Sequence, residues 1–162
     1  MRRRILALAG SFAFLLIAPG TVAGVVPWLI THWRSKAGHS GTLMGTGIAF
    51  IIFGLTPLVE SFVRFAWKGL GTPAPVAPTK HLVVSGFYRY ARNPMYLGVV
   101  AVVIGEALLF ADVDLLIYAF AAWLTMHAFV VFYEEPKLGR TFGAEYTAFC
   151  AQVPRWLPRL GR

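Results

Sequence analysis

"GFYRYARNPMYLG", residues 86–98, sets three tyrosines, two arginines and an asparagine directly ahead of an apolar run, in a chain that is 57% hydrophobic and 14% charged. Working outward from it fixes the fold. The apolar run Tyr96 to Phe110 is followed by only "ADVD" (111–114), then by a second run, Leu115 to Tyr133, and then by "EEP" (134–136). Two spans joined by so short a link form an antiparallel hairpin. Reflection about a midpoint between Asp112 and Val113 sets Asn93 opposite Phe132 and Arg92 opposite Tyr133. "RNP" and "EEP" therefore lie within about one helical turn of each other. Arg92 and the Glu134/Glu135 pair meet at one membrane surface.

Two more apolar stretches precede this hairpin, Ile5 to Ile30 and Leu43 to Ala66. Both exceed the ~20 residues that cross a bilayer. The expectation is an all-α integral membrane protein of about four transmembrane helices with a cytoplasmic C-terminal helical segment. It forms a single domain over 1–162, with an N-terminal helix hairpin at 1–66 and a core at 79–158. Arg2 to Arg4, the apolar run and the small residues Thr21 to Gly24 also fit a signal peptide. The apolar run continues to Ile30, beyond the ~7–15 residues of a signal core, which favours a true span kinked at Pro19 and Gly20.

The net charge of +8 raises nucleic acid as a partner until the basic residues are placed. Arg2, Arg3, Arg4, Arg64, Lys68, Lys80, Arg89, Arg92, Lys137, Arg140, Arg155, Arg159 and Arg162 fall on one side of the four spans, and only Arg34 and Lys36 on the other. This is the positive-inside pattern, with both termini cytoplasmic, and it points to anionic membrane lipid rather than nucleic acid. Cys150 is the single cysteine, so neither an internal disulfide nor a cysteine zinc cage is available.

His32 and His39, in the loop "THWRSKAGHSGT", read as solvated loop residues, and no metal site is expected. Gly20/Gly24 and Gly41/Gly45 have small-xxx-small spacing, which suits close helix packing in lipid. Glu60 and Arg64 form an i,i+4 pair at the end of span two. Pro73, Pro75 and Pro78 mark the following segment as an extended linker. In the tail, Phe142, Tyr146 and Phe149 recur at helical spacing, as in a short helix lying on the membrane or capping a site. Trp156 beside Arg155 and Arg159 reads as an interface anchor.

Two adjacent carboxylates at a helix end repel unless a cation shares their site, and Arg92 supplies one. The alternative is a surface charge cluster that stops the helix at Pro136. With Tyr88 and Tyr96 these groups outline a polar pocket roofed by the tail, although tyrosines at this depth also form plain aromatic belts. Pro94 suits a first helical turn with Asn93 as its cap. His127, seven residues before Glu134, falls on the same face about 10 Å deeper. It is either a functional ionisable group or a neutral histidine bonded inside the bundle. Glu106 reads as reaching water near the outer end.

"HLVVSGFYRYARNPMYLG", followed after one hairpin by "EEPKLGRTFGAEYTAFCAQVPRWLP", resembles the isoprenylcysteine carboxyl methyltransferase family and the related phospholipid N-methyltransferases, over about residues 79 to 158. The resemblance implies an S-adenosyl-L-methionine site at the cytoplasmic face and a lipophilic acceptor entering from the bilayer. His81, Leu82, Val83, Val84, Gly86, Tyr88, Arg92, Asn93, Tyr96 and Gly98 would line the cofactor site from the first block, and Glu134 and Glu135 from the second. The family more typically has histidine where this chain has Asn93. A carboxylate for the cofactor's amino group and a cation for its carboxylate fit Glu135 and Arg92. Arg92, Glu134 and His127 are the candidate catalytic residues, Glu134 or His127 taking the proton of an amine or thiol acceptor.

An NADPH-dependent sterol or enone reductase is the alternative enzyme, but Met95 and Val99 stand where those enzymes usually have asparagine and an acidic residue. A non-catalytic lipid-binding subunit would leave Arg92, Glu134 and Glu135 unexplained. The small size suggests a prokaryotic inner (plasma) membrane, where a phospholipid amine, a lipid carboxylate or an isoprenoid-like thiol are all open as acceptors. Phe120, Trp123 and Met126 are expected to face lipid.

Overall fold

The computed structural model describes residues 2–35, 40–68 and 82–157. The Pro73–Pro78 linker, Lys36, His39, Lys80, His81, Arg159 and Arg162 lie outside the described residues. The described chain is helical, with no strand. α1 (Arg2–Gly20) passes through a π-helical turn (Thr21–Val25) into α2 (Val26–Thr31), and α3 (Gly41–Lys68) follows. A 3-10 turn (Gly86–Arg89) leads to α4 (Pro94–Phe110); α5 (Val113–Phe129) then passes through a second π turn (Val130–Glu134) into α6 (Glu135–Phe142), and α7 (Ala144–Gln152) ends the described helices. Phe12–Thr31, Gly41–Arg64 and Val113–Phe142 are long and apolar enough to cross a membrane, and α4 is a shorter apolar helix of 17 residues. The molecule is an integral membrane protein.

Both π turns have the same local cause. Each ends two residues before a proline, Pro27 in one case and Pro136 in the other. A proline inside a helix lacks the N–H for its i−4 carbonyl, and its ring presses on that carbonyl. Widening the preceding turn relieves the clash without ending the helix. The fourth span thus runs on through "EEP" to Phe142 instead of stopping at Tyr133.

α4 is the central helix, with Met95, Val99, Val102, Val103 and Ala107 buried along it. It meets α3 along a seam of four glycines. A Cβ on Gly47 would lie 2.7 Å from the Gly105 carbonyl oxygen, and one on Gly54 would lie 2.5 Å from that of Gly98; the reverse contacts are equally short. Seven residues return a helix to the same face after two turns, so Gly47/Gly54 and Gly98/Gly105 align in antiparallel register. Lipid supplies no hydrophobic drive to pair helices, and bare glycines gain contact by letting backbones approach. The expected small-residue pairs do not do this. Gly24, Gly41 and Gly45 face open space, and Gly20 lies near only Leu15 of its own helix.

At the opposite end from the 3-10 turn, Ala111 (φ 49°) closes α4 and Asp112 Oδ1 accepts from Asp114 N at 2.9 Å to cap α5. Asp112 is buried in this role rather than exposed at a tip. Glu106 is also buried, at 6% exposure, and so does not reach water as expected. The Tyr118 hydroxyl donates to the Val22 carbonyl in the first π turn, tying α5 to the first span. Toward the other end, Leu58, Phe62, Met95 and Val99 form a core against which Phe14, Val22 and Met126 pack. Met126 therefore packs partly against the bundle, whereas Phe120 remains 61% exposed.

Candidate active site

The site is built where the first block, the second π turn and the tail converge. Gly86 adopts φ +66°, which is open to glycine at no steric cost, and starts the 3-10 turn that carries Tyr88 inward. Burial pushes the Tyr88 phenol well above its usual range, the nearby Ser61 hydroxyl opposing this and the charges of Glu134 and Glu60 adding to it. Leu82 and Val83 are half-buried and Val84 is exposed ahead of this turn.

Arg92 is the hub. Its Nη1 lies 2.9 Å from Glu135 Oε1 and donates to Cys150 Sγ at 2.8 Å, while its backbone N–H donates to the Pro154 carbonyl at 2.9 Å. Its Nε is buried with no hydrogen-bond partner among the described residues. Arg155 forks onto Glu135, Nε to Oε1 at 2.7 Å and Nη2 to Oε2 at 2.8 Å. This hydrogen-bonded carboxylate raises the Arg155 guanidinium further above its ordinary value. One carboxylate between two guanidiniums leaves a net positive charge, and such charge-assisted forks are the strong members of their class.

Asn93 precedes Pro94 as expected, but its side chain does not cap α4. Nδ2 donates instead to the Arg155 carbonyl at 3.1 Å. First block and tail are therefore stitched together by Arg92 N–H to Pro154 and by Asn93 to Arg155. Tyr146 is buried on the tail helix beside Cys150, and burial pushes its phenol up.

The two glutamates point in different directions. Glu134 Oε2 accepts from the Tyr96 hydroxyl at 3.0 Å, on the α4 side, whereas Glu135 faces the tail. Adjacent helical residues point about 100° apart, which separates the two carboxylates, and the π turn decides which of them aligns with His127. A widened turn adds about one residue per revolution, so His127 shares its face with Glu135 rather than with Glu134, correcting the seven-residue expectation. His127 Nδ1 accepts from Trp156 Nε1 at 3.0 Å, next to the Glu135–Arg155 pair in sequence and in space. Its ring lies against Trp123 and Trp156 at 5.4 and 5.8 Å. Trp156 is thus seated on the fourth span and is no simple interface anchor.

The structure brings together Arg92, Asn93, Tyr96, Glu134 and Glu135, and joins His127 to them through Trp156. Gly98 lies in the α3 seam, and His81 lies outside the described residues. The tail is not one helix through Phe142, Tyr146 and Phe149: Gly143 (φ +52°) breaks it between α6 and α7. Cys150 and Arg155, both bonded to site residues, escaped the sequence reading. Arg155 was legible only as one basic residue among thirteen on its side, and Cys150 only as a lone thiol.

With this geometry in view, comparison with known families is decisive. The model of the phospholipid methyltransferase family matches residues 42–145, well over half of the chain. The chain belongs to that family. No curated protein and no solved structure gives a significant match. The matched region of this membrane methyltransferase starts in α3, takes in Arg92, Asn93, Tyr96 and both glutamates, and ends before Cys150 and Arg155.

Proposed function

We propose that this chain transfers a methyl group from S-adenosyl-L-methionine to a lipophilic acceptor at the cytoplasmic membrane face, with both termini cytoplasmic. The observation that carries this is the convergence of Arg92, Glu134 and Glu135 from two separate sequence blocks in a phospholipid methyltransferase family member. The residues fit the cofactor. Its amino-acid end needs a cation for the carboxylate, and Arg92 holds a buried Nε without a partner among the described residues. The ammonium needs carboxylate, which Glu135 and Glu134 offer. When bound, the cofactor supplies an electrophilic methyl on a sulfonium.

Methyl transfer cancels charge, so positioning and exclusion of water contribute most of the rate. Arg92 and Glu135, fixed by Arg155 and the Pro154 carbonyl, hold their geometry before any ligand arrives. Tyr96 aims the Glu134 carboxylate away from Glu135, leaving it as the group that accepts a proton from an amine or thiol acceptor; a carboxylate acceptor would need no base. His127, with Nδ1 already accepting from Trp156, acts through that tryptophan to seat the tail. The acceptor reaches this end from the bilayer, and a phospholipid amine, a lipid carboxylate and an isoprenoid-like thiol are its three candidate classes.

Calorimetry with S-adenosylhomocysteine on the detergent-purified protein tests the cofactor, with NADPH as the rival ligand. Micromolar binding that Arg92→Ala abolishes is expected. Binding of NADPH in its place would move the protein to the reductases.

A further inference from the structure

The site's first block does not stand on its own helix alone; it rests on one turn of α3. Arg64 forks onto Glu60 Oε1 through Nε, at 2.6 Å, and through Nη2, and its Nη1 donates to Ser85 Oγ at 3.1 Å. Gly86 sits directly on this pair: a Cβ there would run into Glu60 Oε1 and into both Nε and Nη2 of Arg64. Between them in sequence, Ser61 is fully buried beside Tyr88. Three residues of α3 thus contact three residues of the block, Ser85, Gly86 and Tyr88. Beside them a cavity of about 230 Å³ is lined by Glu60, Gly86, Phe87, Arg89 and Tyr90, so packing alone does not hold the turn from that side.

We infer that Glu60, Ser61 and Arg64 are positioning residues for methyl transfer, setting the Gly86–Arg92 turn so that Tyr88 and Arg92 face the carboxylates of the fourth span. This rests on the methyltransferase function proposed above. The physical argument concerns conformational freedom. A 3-10 turn of four residues with a glycine at its head has little stability of its own. The guanidinium of Arg64 uses one fork to lock the carboxylate and its remaining arm to lock Ser85, which removes that freedom before ligand binding. The α3–α4 glycine seam fixes α3 against α4 and so carries the platform to a set height relative to Asn93 and Tyr96.

The test compares Arg64→Met, Ser61→Ala and the charge-exchanged double variant Glu60→Arg/Arg64→Glu with the unmodified protein. S-adenosylhomocysteine affinity is measured by calorimetry, and amide hydrogen exchange is followed over residues 85–92 and over the seam at 98–107. Arg64→Met is expected to weaken binding about tenfold and Ser61→Ala about threefold, while the double variant recovers most of the loss. Exchange should rise at 85–92 and stay unchanged at 98–107, a pattern that loss of overall stability would not produce. Unchanged affinity in both Arg64→Met and Ser61→Ala, with binding intact in the unmodified protein, would overturn the inference. So would a uniform rise in exchange across both segments. Absence of binding in the unmodified protein would instead overturn the methyltransferase function, and this inference with it.

Discussion

The pairing of α3 with α4 holds two regions of opposite character. From Gly47/Gly105 to Gly54/Gly98 the helices touch backbone to backbone, with Ile51 and Ala101 packed against the glycines. About two to three turns farther along, Glu60 and Arg64 on α3 meet the block that precedes α4 through polar contacts to Ser85 and Gly86. The dry seam tolerates no added atom, because its specificity is steric. The polar end depends on charge and donors as well as on the bare Gly86 backbone. Position is thus set by glycine and chemistry by arginine, tyrosine and glutamate, on the same helix pair.

The largest effect should come from breaking the seam. Gly54→Leu puts a side chain where even a Cβ would sit 2.5 Å from a backbone oxygen. A loss exceeding about 5 kcal/mol is expected, seen as failure to recover a monodisperse protein in detergent. Gly45→Leu, at a glycine facing open space, should change stability by less than about 0.5 kcal/mol in the same assay. Equal damage from the two would erase the distinction between seam and surface.

At the polar end, Glu135→Gln leaves Arg92 and Arg155 without their shared carboxylate. A cost of about 3 kcal/mol is expected from unpairing partly buried charges, together with loss of S-adenosylhomocysteine binding. Trp156→Phe keeps an aromatic ring but removes the donor to His127, and should cost at least about 1 kcal/mol by thermal unfolding. The smallest effect concerns pH. Burial holds the Tyr88 and Tyr146 phenols above the ordinary tyrosine range. A raised folded-state value means their contribution to stability is whole below about pH 10 and declines as pH rises past it, since the unfolded chain loses these protons first. Spectroscopic titration of the phenols should show Tyr88→Phe losing one late-titrating group.

Much of this was legible in the sequence because it depended on counting. A short link forces a hairpin, and reflection through it places Arg92 near the Glu134/Glu135 pair; the structure joins it to Glu135, while Glu134 goes to Tyr96. The glycine seam is not legible as a four-residue pair: it repeats every seven residues and shows only against its partner helix. Which glutamate shares a face with His127 is not legible from an ideal helix, because the turn before Pro136 is widened. The bonds of Cys150, Arg155 and Trp156 depend on where Gly143 turns the chain, which no periodicity records. The Glu60–Arg64 pair was visible as an i,i+4 contact, but nothing local showed that its free arm holds Ser85.

The central claim is that this end of the bundle moves a methyl group onto a lipid-phase acceptor. Its most direct test is incubation of the purified protein, in nanodiscs of bacterial phospholipid extract, with S-adenosylmethionine radiolabelled in the methyl group, followed by organic extraction. Label entering the organic phase with the unmodified protein, and not with Arg92→Ala, is the predicted result. Label that stays in the aqueous phase while S-adenosylhomocysteine still binds would contradict it.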